Sequence, residues 1–150
     1  MSETKEKIKV LFLCTGNACR SQIAEGWARH LKPDCLEAFS AGVNPASLSQ
    51  TAVEVMAEAS VDISKQRSKH IDDLIGVDFD YVITLCDNAN QNCPVFPANV
   101  KHIHKPFYDP AFMQVAPQEI MTAFRKLRGQ IRDFVEKMPD ILETESTKQK

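Results

Sequence analysis

Apolar residues along this chain fall into runs of two kinds. Lys9-Val10-Leu11-Phe12-Leu13 is nearly continuous and stops at a Gly-containing turn, the pattern of a strand buried on both faces. Tyr81 to Leu85 repeats that pattern, Cys35 to Phe39 is a shorter version closed by Ser40-Ala41-Gly42, and Val100 to His104 is a fourth. Between them the spacing becomes helical. Ile23, Trp27 and Leu31 recur every four residues until Pro33, and Leu48, Ala52, Val55, Met56 and Ala59 share one face. Ile120, Phe124, Leu127, Ile131, Phe134 and Met138 form the stripe of a long last helix, with Pro117 near its start. The order strand, helix, strand, helix, strand, strand, helix predicts an α/β fold. It is a three-layer, doubly wound, mostly parallel four-stranded sheet of the flavodoxin-like kind. Ligands bind such sheets at the carboxyl ends of the strands, and chemistry is expected on that rim.

Composition narrows the classes. The 150 residues contain no repeat, low-complexity tract or linker, and read as one domain spanning 1–150. The polar ends, about 1–7 and 143–150, are expected to fray. Lys and Arg number 18 against 20 Asp and Glu, a formal charge of −2 that argues against tracking nucleic acid or anionic lipid. The longest charge-free apolar stretch starts at Val10 and soon reaches Gly16-Asn17. That is far short of the about 20 residues a membrane helix needs, and no signal-peptide cleavage pattern follows. Five cysteines, an odd number in a chain without an export signal, point to catalytic, redox or buried roles in a reducing cytoplasm rather than to a disulfide scaffold. With no unexplained apolar stripe, a monomer is the default expectation.

Directly after the first strand stands Cys14-Thr15-Gly16-Asn17-Ala18-Cys19-Arg20-Ser21, and the first helix is expected to start inside it. A tight loop of this length turns successive N–H groups inward as a nest, and the helix adds its free N–H groups and positive dipole end. Gly16 and Asn17 are residue types that tolerate left-handed dihedrals. Arg20 supplies a planar fork matched to two oxygens of a tetrahedral oxyanion. Cys14 at the bottom sits in a positive field that favours its thiolate, and Ser21 is placed to donate to that sulfur. The side chain of Cys19 is expected to point away, as a small buried hydrophobe.

After the third strand, on the same rim, Cys86 and Cys93 flank the polar stretch Asp87-Asn88-Ala89-Asn90-Gln91-Asn92. Seven residues apart, they lie too far apart to bond if the segment is helical. The pair is structural if inert and a switch if the segment refolds. Zinc binding with His102 and His104 is disfavoured by the long cysteine spacing, so no metal is expected. Asp109-Pro110 lies past the fourth strand. Its carboxyl group is either a general acid or simply part of a turn.

Together these residues resemble the thioredoxin-coupled arsenate reductases, which share the fold and anion loop of the low-molecular-weight protein tyrosine phosphatases. The resemblance rests on the residues from Cys14 to Trp27, Ser40-Ala41-Gly42, Val61 to Ser64, Thr84 to Pro94 and Phe107 to Ala111. Cys86, Cys93 and Gln22 favour the reductase branch, and Ala111-Phe112 after Asp-Pro weakens a tyrosine-phosphatase reading. The resemblance implies that arsenate, held by the amides of Thr15 to Ser21 and by Arg20, is attacked by Cys14 with Asp109 assisting. It further implies a Cys14–Cys86 disulfide, then a Cys86–Cys93 disulfide reduced by external thioredoxin, with no bound cofactor. Hydrolysis of phosphomonoesters and a non-enzymatic thiol or zinc sensor are the competing readings. Some members hold a potassium ion with oxygens at positions matching Asn17, Glu25, Ser40, Arg67 and Lys69. The last two are cations here, which predicts a tethered charge in place of the ion.

Overall fold

The computed structural model describes residues 6–145 and 147–148. Strand β1 (Ile8–Cys14) is followed by helix α1 (Arg20–Leu31), β2 (Leu36–Gly42), α2 (Gln50–Glu58), β3 (Tyr81–Thr84), α3 (Asp87–Gln91) and β4 (Lys101–His104). Then come α4 (Pro117–Glu136), α5 (Asp140–Glu145) and β5 (Thr147–Lys148), with short 3-10 turns at Ile71–Leu74 and Pro110–Phe112. The sheet order is β2-β1-β3-β4-β5, and the first four strands are parallel. Successive strand residues face opposite sides of a sheet. Val10, Leu11, Phe12 and Leu13 are all fully buried, so β1 is covered on both faces, as its unbroken apolar run requires. α1 packs on β1 and β2 and against α4, whose Phe124, Leu127, Ile131 and Phe134 are buried as the apolar stripe predicts.

The structure differs from the sequence reading at particular places. β2 runs through Ser40-Ala41-Gly42 rather than ending there, because the pairing with β1 continues to Cys14↔Gly42. α4 stops at Glu136, and Met138 is buried beyond it. The polar tail from 143 does not begin as a frayed end. Glu143 lies within α5, which is anchored by fully buried Leu142, and its carboxylate accepts from Tyr81 Oη and from Lys101 Nζ. Thr147–Lys148 adds an antiparallel edge to β4. Glu6 and Lys7 are exposed and irregular, and the rest of the amino-terminal stretch lies outside the described residues.

The carboxyl ends of β1, β3 and β4 lie side by side, because Leu13 pairs with Thr84 and Thr84 with His104. Cys14 ends β1, and the segments that leave β3 and β4 carry Cys86 and Asp109.

Candidate active site

The loop after β1 is held by its carbonyl groups. Val43 N–H donates to Cys14 O, Asn44 N–H to Thr15 O, Ala46 N–H to Gly16 O, Ser49 N–H to Ala18 O and Ile23 N–H to Cys19 O. Ser68 Oγ adds a second donor to Gly16 O, and Gln22 Nε2 donates to Asn17 O. Each trans peptide places its N–H opposite its C=O. Six carbonyls engaged by the surrounding chain therefore turn the N–H groups of residues 15–20 toward the concave side, and the start of α1 lies at the end of that nest. Asn17 supplies the left-handed turn, with φ 48°, while Gly16 has negative φ. Glycine matters instead at Gly42, under the loop, where a Cβ would sit 2.6 Å from Thr15 O and 2.9 Å from Asn17 N.

A chain of hydrogen bonds leads to Cys14. Asn17 Nδ2 donates to Ser21 Oγ at 2.8 Å, and Ser21 Oγ lies 2.9 Å from Cys14 Sγ, within reach of donating to that sulfur when it is ionised. Backbone N–H of Lys69 in turn fixes Asn17 Oδ1. Cys14 is 2% exposed, at the bottom of the cradle. Arg20 donates through Nη1 to Phe107 O and lies 3.4 Å from Asp109 Oδ2 through Nη2. Its Nε is buried with no hydrogen-bond partner among the described residues, a donor suited to an oxyanion. The other oxygen of Asp109 accepts from Ala111 N–H and caps the 3-10 turn. The turn reading and the site reading of Asp-Pro thus both hold for its position.

Cys86 is the N-cap of α3, and its sulfur accepts from Ala89 N–H. Asn92 Nδ2 donates to Asn88 Oδ1, and Asn88 Nδ2 donates to Thr15 Oγ1 at 3.0 Å. The Thr15 hydroxyl also lies 3.2 Å from Cys86 Sγ. The polar stretch between the two cysteines forms a short helix. Cys93 lies beyond its other end, half-buried, and burial pushes its thiol up to about 11. Cys19 is buried as expected, and burial, then the nearby Asp109 and Cys14, raise its thiol well above the ordinary range. Cys35 is remote, beside Lys32 O ahead of β2. All five cysteines are free thiols. His104, considered above as a zinc ligand, is instead bonded to Thr84 and Asp87.

Residues that support the loop were less legible. Gln22 bridges Asn17 O and Arg67 O and is itself fixed by Gln66 Nε2 on its Oε1. Beneath the loop, buried Glu25 accepts from Ser40 Oγ at 2.5 Å and pairs with Arg29 at 2.9 Å. The Lys69 ammonium lies 3.9 Å from Glu25 Oε1 and donates to Arg67 O, so the potassium ligand set does not fit this chain.

An inward-facing amide nest with a buried thiol at its base and a guanidinium at its rim, on a doubly wound parallel sheet, defines an oxyanion-binding thiol enzyme. The family model for low molecular weight phosphotyrosine protein phosphatases matches residues 9–145, and the chain belongs to that family. An arsenate reductase of Bacillus subtilis is 43% identical over 122 residues, covering 81% of this chain and 88% of the relative. An arsenate reductase of Oceanobacillus iheyensis is 40% identical over 126 residues, covering 84% and 91%. Among solved structures, an arsenate reductase in the phosphate binding state matches with a TM-score of 0.69 at 31% identity, over 93% of this chain and 99% of that one.

Proposed function

We propose that this enzyme reduces arsenate to arsenite by a thiol relay, recovers its electrons from thioredoxin, and works as a cytoplasmic monomer. The observation that carries the reading is the second thiol. Cys86 caps α3 and is bonded through Thr15 to the loop that begins at Cys14. Hydrolysis of a phosphomonoester needs no such group.

Arsenate enters the amide nest with Arg20 on two of its oxygens. The Cys14 thiolate, assisted by Ser21, attacks arsenic, and one arsenic oxygen leaves as water with a proton from Asp109. Cys86 then attacks the Cys14 sulfur. A Cys14–Cys86 disulfide forms, the S–As bonding pair stays on arsenic, and As(V) leaves as arsenite, As(III). Cys93 attacks Cys86, forming Cys86–Cys93 and releasing Cys14 as thiolate. A thioredoxin dithiol donates two electrons and two protons to restore Cys86 and Cys93. The relay needs no bound metal or flavin.

The same loop and Asp109 also suit transfer of a phosphoryl group to water, so weak hydrolysis of aryl phosphates is expected alongside. The test follows NADPH consumption with arsenate, thioredoxin and thioredoxin reductase, beside aryl phosphate hydrolysis under the same conditions. Arsenate-dependent oxidation dominates under this reading. Brisk phosphatase turnover without it would make the enzyme a hydrolase.

A further inference from the structure

One group holds α3 without taking part in the relay chemistry. Asp87, the first residue of α3, has a side chain 81% exposed, yet its Oδ1 lies 2.9 Å from His104 Nε2. The other ring nitrogen, Nδ1, lies 2.8 Å from Thr84 Oγ1. That same hydroxyl is 3.3 Å from Oδ1 of Asn90, in the middle of α3. Thr84 is buried and pairs with His104 in the register of β3 and β4. The imidazole is therefore anchored to the sheet on one side and bonded to the helix on the other.

Proton assignment follows from the partners. An ionised Asp87 only accepts, so Nε2 carries a hydrogen. A neutral ring then accepts the Thr84 proton at Nδ1. A charged ring donates to Thr84 instead and frees the Thr84 proton for Asn90. The bond to Asp87 is kept in both forms.

α3 lies between the two cysteines, and a span of seven residues wound as helix throughout would separate them by about 10 Å along its axis, whereas a disulfide requires Cα atoms within about 7 Å. Joining Cys86 to Cys93 therefore requires α3 and the turn after it to unwind, and Asp87 and Asn90 leave these partners. We propose that His104 is a positioning residue that, through Asp87 and Thr84, weights the enzyme toward the wound, reduced form of the Cys86–Cys93 segment and so keeps its disulfide readily reducible. This inference rests on the relay above.

The test equilibrates full-length protein in dithiothreitol redox buffers and quantifies the Cys86–Cys93 linkage by trapping and peptide mapping. In that reaction Cys86 and Cys93 lose two electrons and two protons to oxidised dithiothreitol, whose S–S bond opens to two thiols. His104→Leu is expected to favour the disulfide about fivefold, equivalent to about 20 mV more negative. His104→Gln, which keeps an N–H for Asp87, recovers part of the shift. Asp87→Ala tests the contact from an exposed position that does not burden folding. Because that change also removes the acidic first-turn charge, the decisive quantity is non-additivity of His104→Leu and Asp87→Ala in the double variant. Unchanged equilibria in His104→Leu, or strictly additive effects, overturn the role of His104. Failure of the unaltered protein to form Cys86–Cys93 at all would instead overturn the relay.

Discussion

At the scale of single residues, each of the two thiols meets a hydroxyl that an asparagine holds in place. Asn17 donates to Ser21 Oγ beside Cys14, and Asn88 donates to Thr15 Oγ1 beside Cys86. Cys14→Ser is expected to abolish both arsenate reduction and aryl phosphate hydrolysis, because a hydroxyl is not ionised near neutral pH; turnover above a few per cent would place the nucleophile elsewhere. Arg20→Lys retains charge but loses the fork, and a steady-state comparison should show about a 100-fold fall in kcat/KM. Under the loop, burial pushes the Lys69 ammonium below the usual lysine range while the Glu25 carboxylate works against that shift. With this tethered cation in place, melting temperature and activity should be the same in potassium and sodium chloride at equal ionic strength. Lys69→Met should lower stability by about 1 kcal/mol, seen as a fall of about 2–4 °C in Tm. A potassium-specific rise in Tm of the unaltered protein would contradict this assignment.

At the scale of elements, α3 is the part that the proposed relay requires to move, and the part the sequence rendered least well. Strands β1 and β3 are legible because continuous apolar runs between turn residues have few other uses, and α4 because its stripe is long. α3 is short and nearly all polar, so no periodicity marks it. Its winding comes from partners distant in sequence, such as Thr15 and His104, and from Cys86 as a cap. Gln22 and Glu25 were likewise visible as polar residues on α1, but their bonds to residues 40–69 arise only once the chain is folded. The Cys93 thiol, raised from 9.0 to about 11 by burial, gives this element a pH response. A thiol whose folded value is raised supports the closed form below its ordinary value and loses that support as pH climbs through the folded one. Opening of the segment should therefore become easier between pH 9 and about 11. Mass-resolved alkylation of Cys93 in the reduced enzyme should lag a model thiol up to pH 9 and close the gap toward pH 11. Equal rates at neutral pH would mean the thiol is not sheltered.

At the scale of the whole molecule, the parallel sheet places three segments on one rim: the loop after β1, the helix after β3 and the turn after β4. In the proposed relay the loop and the acid serve the oxyanion chemistry, and the cysteines at the two ends of α3 add a path for electrons from the buried site toward the surface. The sequence marked these segments through the spacing of Cys14, Arg20, Cys86, Cys93 and Asp109. The outward carbonyl bonds that shape the nest come mainly from residues 43–49, which carry no motif of their own. The direct test of the central claim is the stoichiometry of Cys93→Ser with excess arsenate, thioredoxin, thioredoxin reductase and NADPH. The expected result is one arsenite per chain, after which the enzyme stops with its Cys14 and Cys86 peptides joined by a disulfide. Sustained arsenite production by that variant, with thioredoxin as sole reductant, would remove Cys93 from the path and contradict the relay.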